Sequence, residues 1–369
     1  MVVNKRLILV CMVFLFAIWS CKRDDSSTIK EKEINSETLS KIEISDQENF
    51  FKDADGNRFF PWGFNYTNPQ KIGLIEDNWE KESTWKIIEQ DFSEMMTYSA
   101  NIVRVHLQFH QFMIDVETPN ELQLKRLQRL VKIAEDSQLY LDITGLAAYR
   151  KSDAPNWYDN LSDSERWIAQ ANFWKSIAKS VGNSEAVFAY NLMNEPVVAV
   201  GCDDIVPCDW LPGEGFGGFN FVQNIARNPN LTFDIAIKDW IGQLSSAIRL
   251  EDSNTMITVG FLGLGSIAGY TQDLDYLSMH LYPKSRELQQ SVDRVLNSQS
   301  DSPFVLEEIS NLHCTVLELE TFLSQINGKY DGLMGHYFGK TLEEMRTSVT
   351  IADALHKNFL EFFIANNPN

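Results

Sequence analysis

Residues 139–193 read LYLDITGLAAYRKSDAPNWYDNLSDSERWIAQANFWKSIAKSVGNSEAVFAYNLM. LYLDITG (139–145) and VFAYNLM (187–193) are short apolar runs, rich in aromatic and branched side chains, with the length of strands. Between them Ser162-Asp163-Ser164-Glu165 has the spacing of a capping box. Trp167, Ala171, Trp174 and Ala178 then recur at helical spacing. The two tryptophans are expected in the core rather than against a ligand. Two strands joined by a long helix run parallel, because a crossover needs a dozen or more residues. The segment thus predicts a parallel sheet covered by helices.

The same alternation extends in both directions. FPWGFNY (60–66) and NIVRVHL (101–107) precede it, with amphipathic helices predicted over 83–98 and 119–137. A helix over 232–250 follows, and then MITVGF (256–261), YLSMHLY (276–282), PFVLEEI (303–309) and GLMGHYF (332–338). A weak short helix is predicted after 261, and one final helix over 341–365. Eight strand–helix units over ~320 residues suit a closed barrel better than an open sheet. No G-x-G-x-x-G turn follows the first strand, which removes the main support for a dinucleotide fold. The fold class is α/β, a single (β/α)8 TIM barrel over residues 46–369. Ahead of the first barrel strand, FFKDADGNRFF (50–60) predicts a hairpin turning at Asp55-Gly56-Asn57. Its acids do not have the glycine offset of an EF-hand calcium loop.

Lys5 and Arg6 followed by the apolar run Leu7–Trp19 predict a signal peptide over 1–20. That run is shorter than the ~20 residues a membrane-spanning helix requires. Ile18-Trp19-Ser20-Cys21 resembles a lipobox, so Cys21 is expected to carry a lipid anchor, with the chain exported to an outer-membrane or cell-surface position in a bacterium. Residues 21–45 are polar and charged, as in a flexible tether. Cys202 and Cys208 are expected to form a loop disulfide in an oxidising compartment, leaving Cys314 unpaired. The chain carries 51 acidic and 32 basic side chains, a net charge of −19. Such a balance repels polyanions and excludes a nucleic-acid partner.

Active-site residues of such barrels sit at the C-terminal ends of the strands. Those positions hold Asn65, Arg104, His106, Asn194-Glu195-Pro196, His280, Tyr282 and Glu307-Glu308. Carboxylates on the fourth and seventh strands would face each other across the mouth, the arrangement that cleavage of a glycosidic bond requires. The remaining histidines are scattered, so neither a metal nor an organic cofactor is expected.

The runs YNLMNEPVV, NIVRV, HLYP, PFVLEEIS and HYFGKT resemble glycoside hydrolase family 5 and its clan over about residues 48–363. The resemblance implies a retaining hydrolase of a β-linked glycan, of glucan or mannan type, acting on an oligo- or polysaccharide as a monomer. Glu195 would be the acid/base and Glu308 the nucleophile. Arg104 and Tyr282 would orient Glu308, Asn194 would bind the sugar 2-OH, and His280 would line the pocket. An adjacent arginine favours the ionised form such a nucleophile needs. Glu307 is expected in a salt bridge behind the barrel wall. Asn65 is a further substrate-binding candidate, and Trp157 a sugar platform. Two departures stand out: the third strand ends without the histidine common in the family, and Phe338 or Tyr337 stands where a tryptophan floor is usual. The loop 201–230, with Trp210, Glu214 and Phe216–Phe219, is either a source of substrate contacts or a structural lid. A non-catalytic glycan-binding lipoprotein and a transglycosylase are the rival readings.

Overall fold

A computed structural model describes residues 39–45, 49–200, 208–227 and 232–368. The expected signal peptide, Cys21, most of the expected tether and Cys202 lie outside the described residues. Eight parallel strands close into a barrel in sequence order. They are β1 (Trp62–Tyr66), β2 (Ile102–Gln108), β3 (Tyr140–Ala147), β4 (Val187–Asn194), β5 (Met256–Leu262), β6 (Leu277–Leu281), β7 (Phe304–Ile309) and β8 (Gly332–Phe338). Around them pack α1 (Glu82–Thr97), α2 (Glu121–Asp136), α3 (Asp163–Val181), α4 (Phe233–Arg249), α5 (Leu288–Asn297) and α6 (Val316–Gln325). The predicted TIM barrel is present, with strand boundaries within about two residues of those read from the sequence.

The helices form where local signals and apolar stripes agree. Ser162 and Glu165 close the predicted capping box of α3, satisfying backbone donors that the first turn would otherwise leave unpaired. Trp174 of α3 is fully buried and donates its indole N–H to Leu192 O, so it is core, as expected. Trp167 is partly buried and donates to Ile225 O.

Two helical predictions fail. No helix follows β5: residues 263–276 form turns, in a stretch with Gly263, Gly265 and Gly269. Glycine costs about 1 kcal/mol relative to alanine in a helix, which this sequence does not offset. Gly263 also lies so close to β6 that a Cβ there would meet His280 O at 2.5 Å. The last helix is broken into α7 (Leu342–Thr347) and α8 (Ile351–Ala365). Ser348 is extended, and Thr350 caps α8 by accepting from the Asp353 N–H. The run Thr347–Thr350 favours caps and turns over continued helix.

The hairpin closes the N-terminal end of the barrel. Phe51 pairs with Phe59, Gly56 takes φ +82° at the turn, and Asp53 Oδ1 accepts from the Asp55 and Asn57 N–H groups. Phe51 is thereby driven into a floor of Ile42, Ile102, Phe188, Tyr276, Val305 and Met334. Its ring meets those of Phe188 and Tyr276 edge-on, each at 5.2 Å between centroids.

At the opposite end, Pro196–Val198 pairs in parallel with Gln223–Ala226, forming a small ribbon over the ends of β3 and β4. Asn220 N donates to Tyr149 O, and Gln223 Nε2 to Leu146 O. Trp210 is buried and donates to Asp159 Oδ1, so within the loop it is an anchor and not a ligand contact. Cys208 is disulfide-bonded, and its partner lies outside the described residues, as the expected Cys202 does. Cys314 is free.

Candidate active site

Inside the strands, polar side chains alternate with apolar ones so that a charged layer lies above the aromatic floor. β7 shows the transition. Val305 belongs to the floor, Leu306 to the shell facing the helices, and Glu307 again points inward. Strict alternation would then turn Glu308 outward. Instead the pairing with β6 slips: Met279 pairs with Leu306, but His280 pairs with Glu308. This bulge inserts Glu307 as an extra residue and re-aims Glu308 into the mouth. Glu307 therefore lies inside the barrel and not behind its wall, which corrects the expectation.

Arg104, with no exposed surface, organises the layer from β2. One Nη1 hydrogen bond goes to Asn65 Oδ1 at 2.8 Å and another to Glu308 Oε1. Its Nη2 donates to Asn194 Oδ1 at 3.0 Å, and its Nε lies 3.4 Å from Glu307 Oε2. Tyr282 donates its hydroxyl to Glu308 Oε2. Both oxygens of Glu308 are thus held, and its orientation is fixed from two sides. Burial works against its charge, but the positive charges of His280 and Arg104 beside it outweigh that and hold the carboxyl well below its ordinary value.

Glu195 follows directly on β4 in a left-handed conformation, φ +48°. Its N–H donates to Gly260 O at 2.8 Å, and its Oε1 lies 3.0 Å from His280 Nδ1. The same ring nitrogen is 3.6 Å from Glu308 Oε1. Glu195, His280 and Glu308 offer donor atoms all within 4.8 Å of one another, the one such trio found among the described residues. Both Glu308 oxygens already receive Arg104 and Tyr282 donors, and a guanidinium in contact works against a second cation. The trio is suited to proton and nucleophile chemistry.

The structure brings together Asn65, Arg104, Asn194, Glu195, His280, Tyr282 and Glu308, but not all of them face open space. Asn65 is buried behind Arg104, donating to Glu307 O and accepting from Arg104, so it is a strut. Asn194 uses one N–H on Phe221 O and its carbonyl on Arg104, leaving one N–H for a ligand. Two candidates lie elsewhere. Trp157 packs on Phe109 and Tyr158 as part of the outer shell. Phe338 is fully buried against Phe64, Tyr66 and Tyr98, so no ring face is available to a sugar. The pairing of β8 with β1 shifts between Gly335 and Phe338, which turns Phe338 toward the helices. His336 stands at the mouth instead, with 35% side-chain exposure, its Nε2 3.9 Å from Glu308 Oε2 and its ring edge-on to Tyr282. Tyr337 stacks on His356.

Sequence reasoning placed His106 at a strand end without giving it a role, and passed over Tyr149, Asp142 and Asn191. His106 Nδ1 hydrogen-bonds the Tyr149 hydroxyl. Asn191 Nδ2 donates to Glu307 Oε2, and Tyr276 to Asp142 Oδ2. The available signal was a pair of polar residues at alternate positions of an otherwise apolar strand, as at Arg104 and His106 or Asp142 and Thr144.

The sequence model of the cellulase family, glycosyl hydrolase family 5, matches residues 53–300. No curated protein matches the chain. Among solved structures, an exo-beta-1,4-mannosidase from Opitutaceae bacterium strain TAV5 superposes with TM-score 0.63 at 17% identity, covering 88% of this chain. This chain spans 61% of that protein's length. A beta-1,4-D-mannanase from Cryptopygus antarcticus gives TM-score 0.60 at 16% identity, covering 90% of this chain and 95% of its own. The catalytic domain of an endoglucanase from Thermobifida fusca gives 0.51 at 14%, covering 82% and 86%.

Proposed function

We propose that this chain, which belongs to glycosyl hydrolase family 5, is a retaining β-glycosidase that cleaves a β-linked mannan- or glucan-type glycan with Glu308 as nucleophile and Glu195 as acid/base. The observation that carries the reading is the approach of the two carboxyl groups, with one oxygen from each within 4.8 Å. Retaining enzymes hold the pair at ~5–5.5 Å, whereas inverting enzymes leave ~6.5–9.5 Å for a water. A Glu308 oxygen attacks the anomeric carbon as the bond to the leaving oxygen breaks, and the Glu195 proton passes to that oxygen. Water then attacks the glycosyl ester, giving its proton to Glu195 and freeing Glu308. Arg104 and Tyr282 keep the nucleophile ionised and aimed, and the spare Asn194 N–H is available to a sugar hydroxyl.

The choice of glycan draws on structural neighbours named as an exo-beta-1,4-mannosidase, a beta-1,4-D-mannanase and an endoglucanase. Export with a lipid on Cys21 belongs to the same reading, as a way to hold such an enzyme beside an external polymer. Incorporation of labelled fatty acid that a Cys21→Ser variant abolishes would support it, and equal labelling of both would contradict it.

The roles separate by leaving group. Glu308→Ala should lose hydrolysis of every β-glycoside. Glu195→Ala should lose hydrolysis of mannan and glucan but keep slow cleavage of a dinitrophenyl β-glycoside, whose leaving group departs without a proton. Equal residual activity of both variants on both substrates would overturn the assignment.

A further inference from the structure

The reaction proposed above does not use Glu307, yet this fully buried carboxylate is among the most heavily bonded groups in the barrel. Its Oε2 accepts from Asn191 Nδ2 at 2.7 Å and lies 3.1 Å from His280 Nε2 and 3.4 Å from Arg104 Nε. The other nitrogen of the same imidazole, Nδ1, reaches Glu195 Oε1 at 3.0 Å. A ring with a carboxylate at each nitrogen donates to both when it carries two protons.

Gly260 on β5 leaves the space for this junction. A Cβ there would lie 2.7 Å from His280 Nε2, 2.8 Å from Arg104 Nη2 and 2.9 Å from Glu307 Oε2. The backbone of the same glycine donates to Asn191 Oδ1 and accepts from the Glu195 N–H, each at 2.8 Å. One residue without a side chain thus ties the Glu307 cluster to the backbone of Glu195.

Below Glu307, Asp142 is pushed well up by burial and by the Glu307 charge, and holds its proton. Asp142 Oδ1 and Glu307 Oε1 are otherwise unmatched buried oxygens, and a proton shared between the two carboxyls satisfies both. The groups facing His280 are then Glu195 from β4, Glu307 and Glu308 from β7, Arg104 and His106 from β2, and His336 from β8. Burial pushes His106 and His336 down. Burial also opposes a charge on His280, but the Glu308 charge and the bonds to Glu195 and Glu307 outweigh it, raising the imidazole to about 9. Two cations, Arg104 and His280, face two anions, Glu307 and Glu308.

We propose that Glu307 is a positioning residue: it holds His280 as a doubly protonated bridge whose far end fixes the Glu195 carboxyl for proton transfer to the leaving oxygen. The proposal rests on the role given to Glu195 above. It explains why two adjacent glutamates both enter the barrel, one for the anomeric carbon and one, through the imidazole, for its acid.

The full chain carrying Glu307→Gln tests it with two readouts. In long-range 1H–15N spectra the wild-type His280 ring should be doubly protonated at pH 7, and the variant ring should be neutral. Polysaccharide hydrolysis should fall about 10²-fold in kcat, within the range for acid–base catalysis. KM should change less than about threefold, and the burst release of dinitrophenolate from a dinitrophenyl glycoside, a step that needs no proton from Glu195, should stay within about fivefold of wild type. Glu307→Asp, which restores the charge, should recover at least tenfold of the lost kcat. Equal losses on both substrates, or an unchanged His280 titration, would overturn the proposal. Should Glu307→Gln fail to fold, the wild-type spectrum decides: a neutral His280 at pH 7 contradicts the bridge. If the wild type cleaves no glycoside, the reading of function fails while the ring spectra still report on Glu307.

Discussion

Val305 and Glu307 stand two residues apart on one strand and point into the same barrel, yet they belong to opposite kinds of interior. Val305 lies in a floor of Phe51, Phe188, Tyr276 and Met334, where rings meet edge to face and contribute through apolar burial. Glu307 lies one layer higher, among Arg104, His280, Asn191 and Asp142, where each charge is tolerated only because another faces it. The floor can be altered at a cost in stability alone. A change to the upper layer alters stability and chemistry together.

Arg104→Met should break that contrast most severely. It leaves the buried Glu307 and Glu308 facing His280 as their one remaining shared cation, at about 3–5 kcal/mol, and it frees Glu308, the proposed nucleophile, from one of its two anchors. We expect at least a 10³-fold fall in kcat/KM together with a lower urea midpoint. An active, stable variant would mean the upper layer is not held by this residue.

Phe188→Ala, in the floor, should cost about 3–5 kcal/mol of stability while kcat/KM of the folded enzyme at low temperature stays within twofold. A selective loss of activity there would erase the distinction between the two ends.

Glu76 sharpens the comparison through pH. Burial raises it to about 8, against the bond that its Oε1 accepts from the Gln108 N–H. The unfolded chain ionises this group near its ordinary value of 4.5. As pH rises from there towards 8, the unfolded state releases a proton that the folded state retains, and stability falls. Glu76→Gln should be more stable than wild type by on the order of 2–4 kcal/mol at pH 8.5 and nearly equal at pH 4.5. Parallel melting curves across that range check it, and a difference independent of pH would contradict it.

The smallest effect belongs to Trp157→Phe. Because its ring packs on Phe109 and Tyr158, we expect a loss of about 1 kcal/mol and an unchanged KM. A several-fold rise in KM with unchanged stability would restore the platform role.

The barrel was legible because its strands are short apolar runs separated by amphipathic helices, and the site because polar residues interrupt those runs at strand ends. What escaped the sequence depends on register. Alternation sends Glu307 and Glu308 to opposite faces, and only the slip against β6 brings both inside. The shift in β8 likewise exchanges Phe338 for His336 at the mouth. The turns after β5 and the break at Ser348 arise from glycine and Ser/Thr runs that override the helical periodicity. The fully buried Glu307–Asp142 pair had no sequence signature beyond two acids at inward positions, because its meaning depends on who shares the proton.

The proposed double displacement through a covalent intermediate rests on the close approach of the Glu195 and Glu308 carboxyl groups. Following the anomeric proton of the first product by 1H NMR, on a β-linked mannan or glucan oligosaccharide, tests it most directly. The account predicts that the β-anomer appears first and mutarotates afterwards; initial release of the α-anomer would contradict it.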